Sequence, residues 1–117
     1  MTEQAARRLG EVRILRWPMA ENDRARAERQ DSGLVKIVTD RKGRVLGAHI
    51  LAAHAGDLVL PWILAVDRRL KLGDLATVIA PYPTLSEASK RAAGTFFIPR
   101  ILTDRTRWLV RLLLRLP

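Results

Sequence analysis

The chain has 117 residues, no cysteine and a formal net charge of +9, with 48% hydrophobic and 28% charged residues. That size allows one domain with a real core, and the composition is that of a globular chain, not a disordered one. Disulfides, thiolate metal sites and a cysteine nucleophile are excluded within these residues. No apolar run reaches the ~20 residues a membrane-spanning helix needs.

The opening TEQAARRL suits a short helix with Thr2 as N-cap. VRILRW, Val12 to Trp17, alternates apolar and basic residues up to Pro18 and predicts a strand. AENDRARAERQDSG favours helix by its alanines and arginines, although a strand remains open to it. LVKIVTD and RVLGAHILA then predict a β-hairpin over 34–39 and 44–52, with Gly43 in the turn free to take positive φ. Val35 and Ile37 should share one face, and Val45, Gly47 and His49 one face of the partner strand. His49 reads as an ordinary sheet residue.

AGDLVLPWILAVDRRL predicts a helix over 57–70, with Pro61 tolerated near its first turn, where backbone donors lack partners. Val59, Ile63, Val66 and Leu70 would form its main apolar stripe, widened by Leu60, Leu64 and Trp62. A helix so apolar needs cover on more than one side. LGDLATVI and SEASKRAAGTFF predict two further helices. Strands, a hairpin and then helices indicate an α+β fold with an antiparallel sheet.

PYPTLSEASK, residues 81–90, holds the chain's one tyrosine between two prolines. Thr84-Leu85-Ser86-Glu87 fits a capping box, which would make Glu87 a helix cap and Tyr82 a packed aromatic. A tyrosine, with an unperturbed pKa of about 10, is poorly matched to acid–base work at neutral pH. His54 is the other candidate proton carrier, in a glycine-alanine loop without an evident partner. Neither a G-x-G-x-x-G loop nor a Walker pattern is present, so these residues do not complete a redox or hydrolytic site.

The succession GLVKIV, LGAHIL, AGD and PTLSEA, in this order and spacing, resembles the C-terminal dimerisation domain of the flavin-dependent pyridine nucleotide–disulfide oxidoreductases. The resemblance spans Gly33 to Ala93, and MTEQAARR and AENDRA resemble the upstream part of the same domain. It implies a dimerisation domain over 1–98, lacking part of its first strand, in a homodimer. FAD and NAD(P)H would be bound by other domains of a parent protein, and this chain alone would bind neither cofactor and catalyse nothing. The 81–87 segment would cross the interface to the partner subunit's flavin and redox cysteines.

In the dehydrogenase and glutathione reductase branches that segment carries a catalytic histidine, a proline and, five residues after the histidine, a glutamate that orients it. Tyr82, Pro83 and Glu87 fall on those positions, so Tyr82 and Glu87 are the candidate catalytic residues and Pro83 the candidate cofactor contact. The histidine is absent. Tyrosine in its place is similar to mercuric reductase, which also carries a cysteine pair near its C-terminus that this chain does not have. The resemblance further implies a cis bond between Tyr82 and Pro83. Tyrosine for histidine removes an efficient proton shuttle between pH 5 and 8, but Tyr82 could still donate a hydrogen bond to a thiolate or other anion.

The resemblance leaves DRTRWLVRLLLRLP, within 99–117, unexplained. Arg107, Arg111 and Arg115 recur every four residues, as on one helix face, with Trp108, Leu109, Leu112, Leu113 and Leu116 expected on the opposite face. Such a basic amphipathic helix would pack on its own domain or partner subunit, or lie on an anionic membrane surface through 104–117. Nucleic-acid binding is the less expected use of the net charge, because acidic residues interrupt the basic ones outside this tail. A cytoplasmic location, peripheral at the membrane if the tail binds lipid, is the corresponding expectation.

Overall fold

The computed structural model describes residues 1–101 and Trp108. The expected amphipathic helix in 99–117, and with it the membrane-surface expectation, falls almost wholly outside these residues. In chain order the elements are α1 (Glu3–Leu9), β1 (Val12–Pro18), a 3-10 turn (Met19–Glu21), α2 (Asp23–Ala27), β2 (Leu34–Asp40), β3 (Val45–Leu51), α3 (Ala55–Leu58), α4 (Leu60–Asp67), α5 (Leu72–Ala76), α6 (Glu87–Gly94) and α7 (Ile98–Ile101). The sheet is antiparallel in the order β1-β2-β3. The fold is α+β, as the sequence pattern predicts.

The hairpin turn is built by Asp40. Its carboxylate accepts the backbone N–H groups of Lys42 and Arg44 at 2.8 and 2.9 Å, and Gly43 takes φ +84°. Beyond the turn the register slips: Val38 faces Gly47, but Thr39 faces Val45, which leaves Leu46 extra on β3. Such a bulge moves the residues on its two sides to opposite faces. Val45 therefore joins Val35 and Ile37 in the core, while Gly47 and His49 share the other face with Val38 and Lys36. The expectation that Val45, Gly47 and His49 share a face fails on this single inserted residue.

On that outer face lies α1. Thr2 caps it by accepting the N–H of Ala5 at 3.2 Å. Glu3 reaches Arg7, Arg16 and Lys36 at 2.9, 3.2 and 3.5 Å, and the hydrogen bond from Arg7, with the surrounding positive charge, holds its carboxyl below the usual range.

The core lies between the opposite face of the sheet and α4, α5 and α6. Helix α6 buries Ala88, Ser89, Ala92 and Ala93, side chains small enough to bring its backbone close to the sheet. The predicted 57–70 helix is two pieces and ends early. His54, at φ +57°, precedes α3, and Pro61, which has no N–H to donate, falls at the start of α4, where the ladder is broken anyway. At the other end Arg69 takes φ +54°, and Leu70 and Arg69 donate back to the carbonyls of Ala65 and Val66. That is the Schellman termination, with arginine where glycine is usual.

The face that α4 buries also differs from the predicted one. Leu58, Trp62 and Ala65 point into the core. Leu60, Ile63, Leu64 and Val66 are exposed at 57, 54, 48 and 41%. The indole of Trp62 fixes this rotation: it is 1% exposed and its Nε1 donates to Ser89 Oγ at 2.9 Å, tying α4 to α6.

Candidate functional site

Residues 77–86 link α5 to α6 and hold every residue of the candidate site except Glu87, which opens α6. The Tyr82–Pro83 peptide is cis. Tyr82 is 70% exposed and Ile79 90%. Within the loop, Thr84 Oγ1 donates to the carbonyl of Pro81 at 2.7 Å and lies 2.8 Å from Ser86 Oγ. The Thr84 hydroxyl thus serves the loop, and the capping box does not form. The N-cap is Ser86, without a side-chain cap bond, and Glu87 is the first helical residue, not the third. Thr84 is further committed by its carbonyl, which accepts from Asn22 Nδ2 at 3.1 Å.

Asn22 is 3% exposed, and its other side-chain atom, Oδ1, accepts the N–H of Ala25 as the N-cap of α2. Asp23 follows, and Tyr82 Oη donates to its Oδ2 at 3.1 Å. Two adjacent residues of the AENDRA segment therefore grip the loop on both sides of Pro83, one by its backbone and one by the phenol. The hydrogen bond to the Asp23 carboxylate raises the Tyr82 hydroxyl above its ordinary pKa; the charge of Asp23, partial desolvation and the charge of Glu87 act in the same direction. The phenol is accordingly neutral at physiological pH.

Tyr82 and Glu87 lie near enough for that electrostatic effect, but no hydrogen bond joins them. Glu87 instead lines an open cavity of about 420 Å³ with Trp17, Lys90 and Arg91. The indole N–H of Trp17 is buried and has no hydrogen-bond partner among the described residues. His54 stands at the start of α3, its Nδ1 3.8 Å from the Asp57 carboxylate, and His49 is exposed on β3. Neither is hydrogen-bonded to Tyr82.

These residues alone do not fit a flavin dinucleotide. The glycines with close neighbours face the fold itself: Gly33 the Leu51 carbonyl, Gly43 the Phe96 ring and Gly47 the Met1 backbone. No glycine-rich turn offers a row of backbone donors to a pyrophosphate. What these residues present is an exposed aromatic whose hydroxyl and loop are hydrogen-bonded to Asp23 and Asn22.

The described residues thus present an exposed, hydrogen-bonded loop and an exposed apolar face of α4 on an α+β core. Comparison with known proteins gives its family. Residues 1–93 match the pyridine nucleotide-disulphide oxidoreductase dimerisation domain, and the chain belongs to that family. It is 42% identical over 98 residues to the mercuric reductase of Bacillus cereus, covering 82% of this chain and 16% of that protein. It is 36% identical over 94 residues to the dihydrolipoyl dehydrogenase of Rhizobium etli, covering 79% and 20%.

Among solved structures, LpdA from Mycobacterium tuberculosis superposes with a TM-score of 0.74 at 33% identity, over 80% of this chain and 21% of that one. The copper(II) complex of RclA, an HOCl-induced flavoprotein disulfide reductase from Escherichia coli, superposes with a TM-score of 0.77 at 27% identity, over 81% and 22%. The chain thus spans between 16 and 22% of the length of these relatives. Family members are FAD- and NAD(P)H-dependent flavoproteins in which this domain forms the homodimer.

The sequence reading named Tyr82, Pro83 and Glu87 as candidates and did not name Asn22 and Asp23, which hold their loop. Asp23 is 59 positions from Tyr82, and its only local signal is the Asn-Asp pair that can cap a helix.

Proposed function

We propose that this domain pairs two copies of a flavin-dependent disulfide oxidoreductase through the exposed face of α4 and the 78–83 segment. Tyr82, with Pro83 and Glu87, then sits at the partner subunit's redox site, where FAD and NAD(P)H are held by other domains of the parent protein. The observation that carries this reading is an aromatic left 70% exposed while its hydroxyl and its loop are both tied down. Exposure with rigidity suits a residue placed for a second surface. A neutral phenol there can orient or polarise a ligand but cannot shuttle protons near neutral pH as an imidazole does.

A chimera tests the placement. In the Rhizobium etli dihydrolipoyl dehydrogenase, the C-terminal domain is replaced by this chain, with Tyr82 intact or as Tyr82→His. The parent chimera should bind flavin and reduce lipoamide poorly. Tyr82→His should raise turnover by about 10²-fold or more, the range of general acid–base catalysis. Equal turnover in two flavin-loaded dimers would show that the loop does not reach the redox site.

A further inference from the structure

The proposed function leaves open what Tyr82 offers to the surface it meets. A phenol has one proton to donate and lone pairs with which to accept, whereas an ionised carboxylate can only accept. At 3.1 Å the proton of Tyr82 Oη is directed to Asp23 Oδ2. Asp23 is held in place by its neighbour: Asn22 is buried, caps α2 through Oδ1 and reaches the Thr84 carbonyl through Nδ2. The pair joins the first turn of α2 to a loop about sixty positions away in the chain. Glu87, the other acid near the ring, has no hydrogen bond to it.

We infer that Asp23 is the positioning residue for Tyr82: its carboxylate accepts a hydrogen bond from the phenol's only O–H, turns the oxygen's lone pairs outward, and so makes Tyr82 a hydrogen-bond acceptor that selects a ligand group carrying a donor. The preferred group is an S–H, O–H or N–H, such as a protonated thiol or an ammonium, and a bare thiolate is disfavoured. On this inference Tyr82 accepts from its ligand, the reverse of the donor role considered from the sequence. The identity of the donor ligand rests on Tyr82 lying at the partner's redox site; the pairing with Asp23 stands in this chain by itself.

The charged groups acting on the phenol are Asp23 of α2 and Glu87 of α6, and both favour its neutral form. A neutral form stabilised by folding means that this contribution is present below the unfolded value of about 10 and is lost as pH rises through the higher folded value. Tyr82 is the only tyrosine, so absorbance titration of tyrosinate in the intact chain reads this group alone.

The wild-type midpoint should lie above about 10, Asp23→Asn should bring it down, and Glu87→Gln should move it less. A midpoint that Asp23→Asn leaves in place, or that Glu87→Gln shifts as far, would overturn the inference. If Asp23→Asn does not fold, the Raman tyrosine doublet of the wild-type chain decides: a donor signature supports the pairing and an acceptor or unbonded signature refutes it. These outcomes are independent of the chimera, which addresses only where the loop sits.

Discussion

Trp62→Ala should destabilise the domain by about 3–5 kcal/mol. Trp62 is 1% exposed and the largest fully buried side chain among the described residues. It sits in the same cluster as Leu15, Val35, Ile37, Ala65 and Ala92. Its removal opens a cavity that helices on one side and a sheet on the other cannot close, and it deprives Ser89 of the indole donor 2.9 Å away. Against the 5–15 kcal/mol typical of a folded domain, the loss brings the chain close to unfolding at ambient temperature. Trp62→Phe keeps most of the ring and should cost less. Urea unfolding followed by circular dichroism measures both; a loss below about 1 kcal/mol for Trp62→Ala would mean that the indole is not a core element.

Gly33→Ala is the second large effect, and its origin is backbone, not packing. Gly33 takes φ +109°, and a Cβ there would lie 1.8 Å from the Leu51 carbonyl oxygen and 2.7 Å from its carbon. Neither atom can step aside without opening the Leu34–Leu51 end of the β2–β3 ladder. The Gly33 carbonyl also accepts the N–H of Met19 at 3.0 Å, so a shift disturbs the turn that leads to Asn22 and Asp23. The conformational strain alone is about 1–3 kcal/mol, and the lost pairing adds to it. Gly56→Ala is the control: a Cβ there meets nothing within 4 Å, and alanine favours helix over glycine by about 1 kcal/mol. Unfolding midpoints should therefore fall sharply for Gly33→Ala and hold or rise for Gly56→Ala.

The strands, the hairpin and the order of helices were legible because their signals are local: alternation in VRILRW and LVKIVTD, a glycine in the turn, a threonine before α1. The buried face of α4 was not. With apolar residues around most of the cylinder, periodicity gives no direction, and the rotation is decided by the indole of Trp62 finding Ser89, 27 positions away. The bulge at Leu46 has no sequence mark either, yet it reverses the faces of β3. At the site, PYPTLSEASK pointed to Tyr82, Pro83 and Glu87, but the local capping pattern misled, because the Thr84 hydroxyl is used within the loop. Asp23, the hydrogen-bond partner of Tyr82, is supplied by the fold alone.

The proposed pairing of two copies rests on an uncovered apolar surface. Leu60, Ile63, Leu64 and Val66 on α4, with Val78 and Ile79 before the cis-proline, are exposed in the single chain. A stable two-fold interface buries about 1,600 Å² in total and places the same patch on both subunits. Sedimentation equilibrium of the purified chain at high micromolar concentration measures this directly. Pairing gives a species of twice the 13.2 kDa chain mass; a single species of 13.2 kDa across the concentration range would rule it out.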